Sequence, residues 1–189
     1  MLYTADSAVP WNGLASVTEA PSGGDAQDYY IDGMKTLNIA ALEEFAGTIE
    51  AFSSPVEFAP CAGRLEISPA LYVADQAKRS FGFSYRTLLG NDVSGISLGY
   101  RLHLVYNALA KISDFSHGTN SETVNVIPYS WAITTIPEVV TGFKPTSHFV
   151  VDTISLDPDI LGQLEAILYG DDDNDPRFPS AQEFVTLTS

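Results

Sequence analysis

Residues 80–106 read SFGFSYRTLLGNDVSGISLGYRLHLVY, and this stretch decides the fold class. Two segments with period-2 alternation flank a linker rich in Gly, Asn and Asp. Alternation of this kind places apolar side chains on one face of a strand and polar side chains on the other. The stretch therefore predicts two neighbouring antiparallel strands with one buried face. The apolar phase comprises Phe81, Phe83, Tyr85, Tyr100, Leu102, Leu104 and Tyr106.

The composition favours one domain with a substantial core and a surface that is poor in charge. The chain has 189 residues, of which 45% are apolar and only 17% are charged, against about 25% charged residues in typical soluble proteins. Protein–protein interfaces lose charged residues and gain aromatic ones. The composition fits either an extensive protein interface or an ordinary β protein with a surface rich in Ser and Thr.

Charge and cysteine content exclude several classes of function. A formal charge of −15 opposes tight binding to nucleic acid, because phosphate contacts need Lys and Arg. The single cysteine, Cys61, can form neither an intrachain disulfide nor a cysteine metal site. The N-terminus lacks a basic region and an apolar run, and no stretch approaches the length of a membrane helix. We therefore expect no membrane partner.

Other segments predict further strands, loops and one helix. The helix begins after Asp157, an N-cap residue followed by Pro158, and it ends at Gly170. Its apolar residues form one continuous face. We expect strands over residues 14–20, 29–40, 44–52, 123–135 and 148–154, loops over 20–28 and 111–122, and a helical face formed by Ile160, Leu161, Leu164, Ile167 and Leu168.

The fold class that follows is mainly β: a β-sandwich or β-barrel of antiparallel strands with one packed α-helix near the C-terminus. We predict a single domain over residues 1–189. Residues 53–79 show no alternation of apolar and polar residues and contain several prolines. A long segment of this kind is usually functional, so we predict an extended arm or loop there. Residues 171–189 form an acidic C-terminal segment.

One motif matches the sequence around the nucleophilic serine of a serine hydrolase. Residues 95–99 match G-x-S-x-G, and Ser97 could in principle act with Asp114 and His148. That motif requires a hydrophobic strand before the serine and a helix after it. Here a polar loop precedes Ser97 and an alternating strand follows it, so we interpret the motif as a turn and predict no enzymatic activity.

No metal or cofactor site is predicted. The acidic run 171–175 begins like a calcium loop, but Pro176 stands where the loop needs Gly and Gln182 where it needs Glu. The histidines, at 103, 117 and 148, lack metal-ligand spacing. Trp11 and Trp131 could stack on sugars or bases, but packing in the core is the better explanation of these aromatic residues.

The order of several short motifs resembles the major tail tube proteins of long-tailed, siphovirus-type bacteriophages. The similarity runs roughly from Trp11 to Pro179. It is carried by WNGLASVTEAPSGGDAQDYYIDGMK, EEFAGTIEAF, PVEFAPCAG, FGFSYRT with GND, GYRLHLVYNALA, SWAITTIP, KPTSH and LEAILYGDDDNDPRFP.

The resemblance implies a structural role in the virion. Subunits of this family form hexameric rings that stack into a tube, and the genome leaves the capsid through that tube. It implies a β-sandwich or barrel with a flanking helix, and no catalytic residue. The expected partners are other copies of the chain and tail proteins such as the tape measure and the tail terminator. DNA would pass without specific binding. The expected location is the virion tail, after synthesis in the host cytoplasm.

Two other classes stay open from the residues alone. The first is a β-sandwich that binds a ligand such as a carbohydrate, with Trp11 in an aromatic platform. The second is a hydrolase that uses Ser97. Within the tail tube interpretation, we expect residues 53–79 to form the arm that reaches the next ring.

Overall fold

Antiparallel strands account for about half of the chain, which confirms the predicted fold class. The computed structural model describes residues 1–40, 43–93, 95–113 and 128–188, with 48% of the chain in strands and 14% in helices. In chain order the strands are β1 (Leu2–Tyr3), β2 (Ala8–Val9), β3 (Leu14–Glu19), β4 (Ser22–Gly23), β5 (Ala26–Ile31), β6 (Met34–Ala40), β7 (Glu43–Glu44), β8 (Ala46–Ala51), β9 (Leu65–Ser68), β10 (Leu71–Val73), β11 (Phe81–Asn91), β12 (Gly95–Ile112), β13 (Tyr129–Thr135) and β14 (His148–Asp152). The helices are α1 (Pro158–Tyr169) and α2 (Ala181–Thr188), and a short 3-10 turn spans Val56–Phe58.

One antiparallel sheet organises the molecule. Its strands follow the order β2-β1-β11-β12-β13-β8-β3, and β14 pairs with the first half of β12. The predicted pair at residues 80–106 is the centre of this sheet, with Tyr85 opposite His103 and Leu88 opposite Tyr100. Strand β12 is long enough to pair with β14 at Arg101 to Val105 and with β13 at Ala108 to Ile112.

The prediction that this pair buries only one face is wrong. Residues 81–84 and 102–106 are buried in succession, because the central strands have a core on each side. The register shifts between the pairs Phe83–Val105 and Phe81–Ala108, and Asn107 adopts a φ of 48° at that point. This bulge inverts the alternation along β12, so that Leu102 and Leu104 face one core whereas Ala108 and Ala110 face the other.

The first core lies between the two halves of the curled sheet. It is rich in aromatic rings that pack edge to face, for example Phe58 against Trp131 with ring centroids 5.2 Å apart. Its buried members are Leu2, Phe45, Ile49, Ala51, Phe58, Cys61, Phe81, Phe83, Val105, Ala108, Ala110, Trp131 and Ile133.

The second core lies between the sheet and the helices. Leu164 and Leu168 of α1 are fully buried there against Leu102 and Leu104 of β12. Helix α1 has the predicted bounds: the Asp157 carboxylate accepts a hydrogen bond from the Asp159 backbone N–H at 2.8 Å, and Gly170 follows the last turn.

The structure contains a second helix, α2, that the sequence patterns do not predict. The hydroxyl of Ser180 accepts a hydrogen bond from the backbone N–H of Glu183 at 3.2 Å, as in the S-x-x-E capping box. Ala181 and Phe184 are buried in the second core. The cap was present in the sequence, but eight residues are too few for a convincing apolar period.

The predicted loop 20–28 and the predicted single strand 29–40 are also wrong. The chain forms β4 and β5 and then reverses at Asp32 and Gly33, whose φ values are 50° and 76°. An Asp-Gly pair with positive φ at both positions is the preferred two-residue hairpin turn. The predicted strand 123–135 is observed from Tyr129 onward, and residues 114–127 lie outside the described residues.

Candidate functional site

A two-stranded antiparallel ribbon extends from one edge of the main sheet. The pairing of β3 with β8 continues through β4 with β7 to β5 with β6, where Ile31 faces Met34 beside the turn. We call residues 20–31, 34–40 and 43–44 the distal ribbon. Residues 18–39, 43 and 44 are all exposed. The ribbon therefore lies outside both cores.

The distal ribbon has one apolar face and one polar face. Opposite residues of an antiparallel pair share a face. Tyr29 pairs with Leu37 and Gln27 pairs with Ile39, which brings three large apolar side chains together. On the other face, Asp28 is paired with Asn38 and forms a salt bridge with Lys35 at 2.5 Å.

The apolar face has no cover within the described part of the chain. The large apolar side chains of this face are between 48% and 71% exposed: Tyr29, Ile31, Met34, Leu37 and Ile39. An isolated two-stranded hairpin is at best marginally stable in water, and contiguous exposed apolar surface of this kind marks an interaction site.

The predicted arm at residues 53–79 divides into an anchored part and a free part. Phe58 and Cys61 are buried in the first core, whereas residues 64–80 are all exposed. The free part contains the β9–β10 hairpin, in which Leu65 lies opposite Val73. Ile67 shares the face of Leu65 by alternation, so this hairpin also presents an uncovered apolar face.

A separate polar cluster joins four strands on the inner side of the sheet. Tyr85 of β11 and His103 of β12 are cross-strand partners with stacked rings, and their centroids lie 4.5 Å apart. His148 of β14 is a diagonal neighbour of His103, with 3.1 Å between His148 Nε2 and His103 Nδ1. Glu19, at the end of β3, places Oε1 3.4 Å from the same Nδ1.

Burial controls the electrostatics of this cluster. His103 is only 7% exposed, and desolvation lowers the pKa of both histidines, opposed in each case by the Glu19 carboxylate. Desolvation, assisted by a hydrogen bond to Glu19, raises the pKa of Tyr85. Neutral imidazoles with lone pairs for a ligand are thereby favoured near pH 7.

Sequence spacing did not reveal the cluster. Alternation places His103 on the more polar face of its strand, but the structure buries it beneath Glu19, Tyr85 and His148. His103 and His148 are 45 residues apart in the chain, and β12–β14 pairing alone makes them neighbours. His117 lies outside the described residues.

The hydrolase motif does not lead into a helix. Residues 95–99 open strand β12, which continues to Ile112. The strand-turn-helix context of a nucleophile elbow is thus not formed at this position. Asp114 lies outside the described residues, as does the Ser97 side chain.

The acidic run and Trp11 have local structural partners. Asp171 Oδ1 accepts hydrogen bonds from the backbone N–H groups of Asp173 and Asn174, and Asp171 to Asp175 are exposed. Trp11 packs on Phe58, with centroids 4.6 Å apart, and its indole N–H donates to the Ser53 carbonyl at 2.8 Å. Trp11 is therefore partly buried against the first core.

Comparisons with protein-family models, with curated proteins and with solved structures find no match. Of the helices in the described residues, none has the length and apolar character needed to cross a membrane.

Proposed function

We propose that this protein is a structural subunit that assembles with copies of itself into stacked rings, forming a tube like the phage tail tubes that its sequence resembles. The observation that supports this most is the uncovered apolar face of the distal ribbon. Tyr29, Leu37 and Ile39 lie on one face of a hairpin, far from either core. A monomer gains no stability from that face, whereas an assembly would bury it.

Another copy of the chain is the occupant that best fits this face. A closed ring needs head-to-tail contacts between different surfaces of identical subunits. The chain offers two uncovered hairpins, β5–β6 and β9–β10, and its main sheet ends in strands β2 and β3. Free sheet edges can accept a strand from a neighbour. Each subunit can thus donate a strand to one neighbour and accept a strand from another.

The charge of the chain fits a conduit for DNA. A formal charge of −15 on every subunit gives the assembled tube a strongly negative field. A negative wall repels phosphate and does not retain the duplex by ion pairing. In this proposal the nucleic acid passes through the tube and is not bound.

The test exploits the two faces of one strand. The double variant Leu37→Asp and Ile39→Asp places charge on the apolar face, whereas Asn38→Asp places it on the opposite face of β6. Because these side chains contact neither core, we expect both proteins to fold with wild-type circular dichroism. Sedimentation velocity should show assembly by wild type and Asn38→Asp, and only monomer for the double variant. Wild-type assembly by the double variant would contradict the proposal.

A further inference from the structure

The cluster of Glu19, His103 and His148 has the arrangement of a metal site. Among the described residues, one potential ligand atom from each side chain lies within 4.8 Å of the other two. The residues come from β3, β12 and β14, so the site exists only in the folded protein.

The separations match the size of a first-row divalent cation. With metal–ligand bonds of about 2.0–2.1 Å, neighbouring ligand atoms around tetrahedral Zn²⁺ lie about 3.4 Å apart. The distance from Glu19 Oε1 to His103 Nδ1 is 3.4 Å, and that from His103 Nδ1 to His148 Nε2 is 3.1 Å. The third separation, between the ligand atoms of Glu19 and His148, is at most 4.8 Å, and binding of the ion would draw these two side chains together.

Hydrogen bonds with neighbouring side chains orient two of the three ligands, His103 and Glu19. Thr87 Oγ1 lies 3.0 Å from His103 Nε2. If Nε2 carries the proton and donates to Thr87, the Nδ1 lone pair points into the cluster. The Tyr85 hydroxyl donates to Glu19 Oε1 at 2.5 Å and fixes the carboxylate. Such second contacts are typical of histidine and carboxylate ligands in metal sites.

We propose that Glu19, His103 and His148 bind one divalent transition-metal ion, Zn²⁺ being the best fit, with water in the remaining position. Two imidazole nitrogens favour Zn²⁺ and its neighbours over Ca²⁺ or Mg²⁺, which prefer oxygen ligands. The bound ion would tie the end of β3, where the distal ribbon starts, to the centre of the sheet. This site does not depend on the proposed tube.

The experiment uses the full chain without a histidine tag, treated with a chelator and then dialysed. Calorimetric titration with Zn²⁺ should show one ion bound per chain. Co²⁺ should give the visible absorption of a tetrahedral nitrogen and oxygen site. At a hundredfold excess of Zn²⁺ over its Kd, the Tm should rise by about 5–10 °C, since the ion binds only the folded state.

Three variants separate this site from binding by scattered surface carboxylates. Glu19 is exposed, so Glu19→Gln should fold normally and lose zinc affinity by about a hundredfold or more, because loss of even an outer partner costs 10–100-fold. His148→Gln should behave in the same way. His117→Gln removes the third histidine of the chain and should bind as wild type does.

Either of two results would overturn the proposal. One is the absence of Zn²⁺ binding by folded wild-type protein at millimolar metal, which would leave a hydrogen-bonded cluster only. The other is equal Zn²⁺ affinity in wild type, Glu19→Gln and His148→Gln. Circular dichroism of each metal-free variant shows whether it is folded.

Discussion

At the scale of single residues, Gly82 shows how closely the sheet and the C-terminal segment fit. A Cβ atom at this position would lie 2.6 Å from Cε1 of Phe178, well inside van der Waals contact. Phe178 stacks on Tyr3 and tilts against Tyr106, with centroids 4.6 Å and 4.5 Å apart. One added methyl group would therefore disturb a set of packed aromatic rings.

We expect Gly82→Ala to lower the free energy of unfolding by about 1–3 kcal/mol, the usual cost of overpacking. The matched control is Gly162→Ala in helix α1, where a Cβ meets nothing within 4 Å. Alanine should raise the free energy of unfolding there by about 0.5–1 kcal/mol, because glycine is the poorer helix former. Urea unfolding of both variants measures the difference. Equal urea midpoints for Gly82→Ala and Gly162→Ala would show that Phe178 does not pack on the sheet as described.

At the scale of elements, the β9–β10 hairpin is the free part of the predicted arm. Leu65, Ile67, Leu71 and Tyr72 are exposed there, while the anchor residues Phe58 and Cys61 belong to the first core. The hairpin can thus be removed without taking anything from either core. This separation allows its role in assembly to be tested apart from folding.

Replacing residues 66–72 with an Asn-Gly turn would join Leu65 to Val73 across the same strand pair. We expect a folded subunit with a Tm close to that of wild type that no longer polymerises, because the contact to the next ring is lost. Light scattering at increasing protein concentration measures polymerisation. Polymerisation equal to wild type would exclude the hairpin as the contact between rings.

The elements predicted correctly from sequence are those specified by local signals. Helix α1 has its cap at Asp157, its stop at Gly170 and its apolar face within one short segment. The turn at Asp32 and Gly33 also carried a local signal. Alternation continues on both sides of this turn, however, and strand alternation alone does not show where a hairpin reverses.

Features that depend on distant contacts could not be predicted in this way. The burial of both faces around His103 arises because helices cover one side of the sheet and the curled sheet covers the other. The cluster with His148 and Glu19 requires three strands to be placed correctly. The sequence does not predict the exposure of the distal ribbon either, since Tyr29, Leu37 and Ile39 alternate as core residues would.

At the scale of the whole molecule, the two cores and the two uncovered hairpins have different roles. The cores account for the stability of the subunit, and the hairpins contribute little to it because they bury almost nothing. Their apolar faces are explained if identical neighbours cover them. A low content of charged residues, 17%, fits a surface that is largely buried after assembly.

Electron microscopy of the purified, concentrated protein tests this directly. We predict rings or hollow tubes with a single rotational symmetry, in which the distal ribbon of each subunit lies against a neighbour. Particles that remain single subunits at every concentration and salt, with the faces of β5–β6 and β9–β10 open to solvent, would contradict the proposed function.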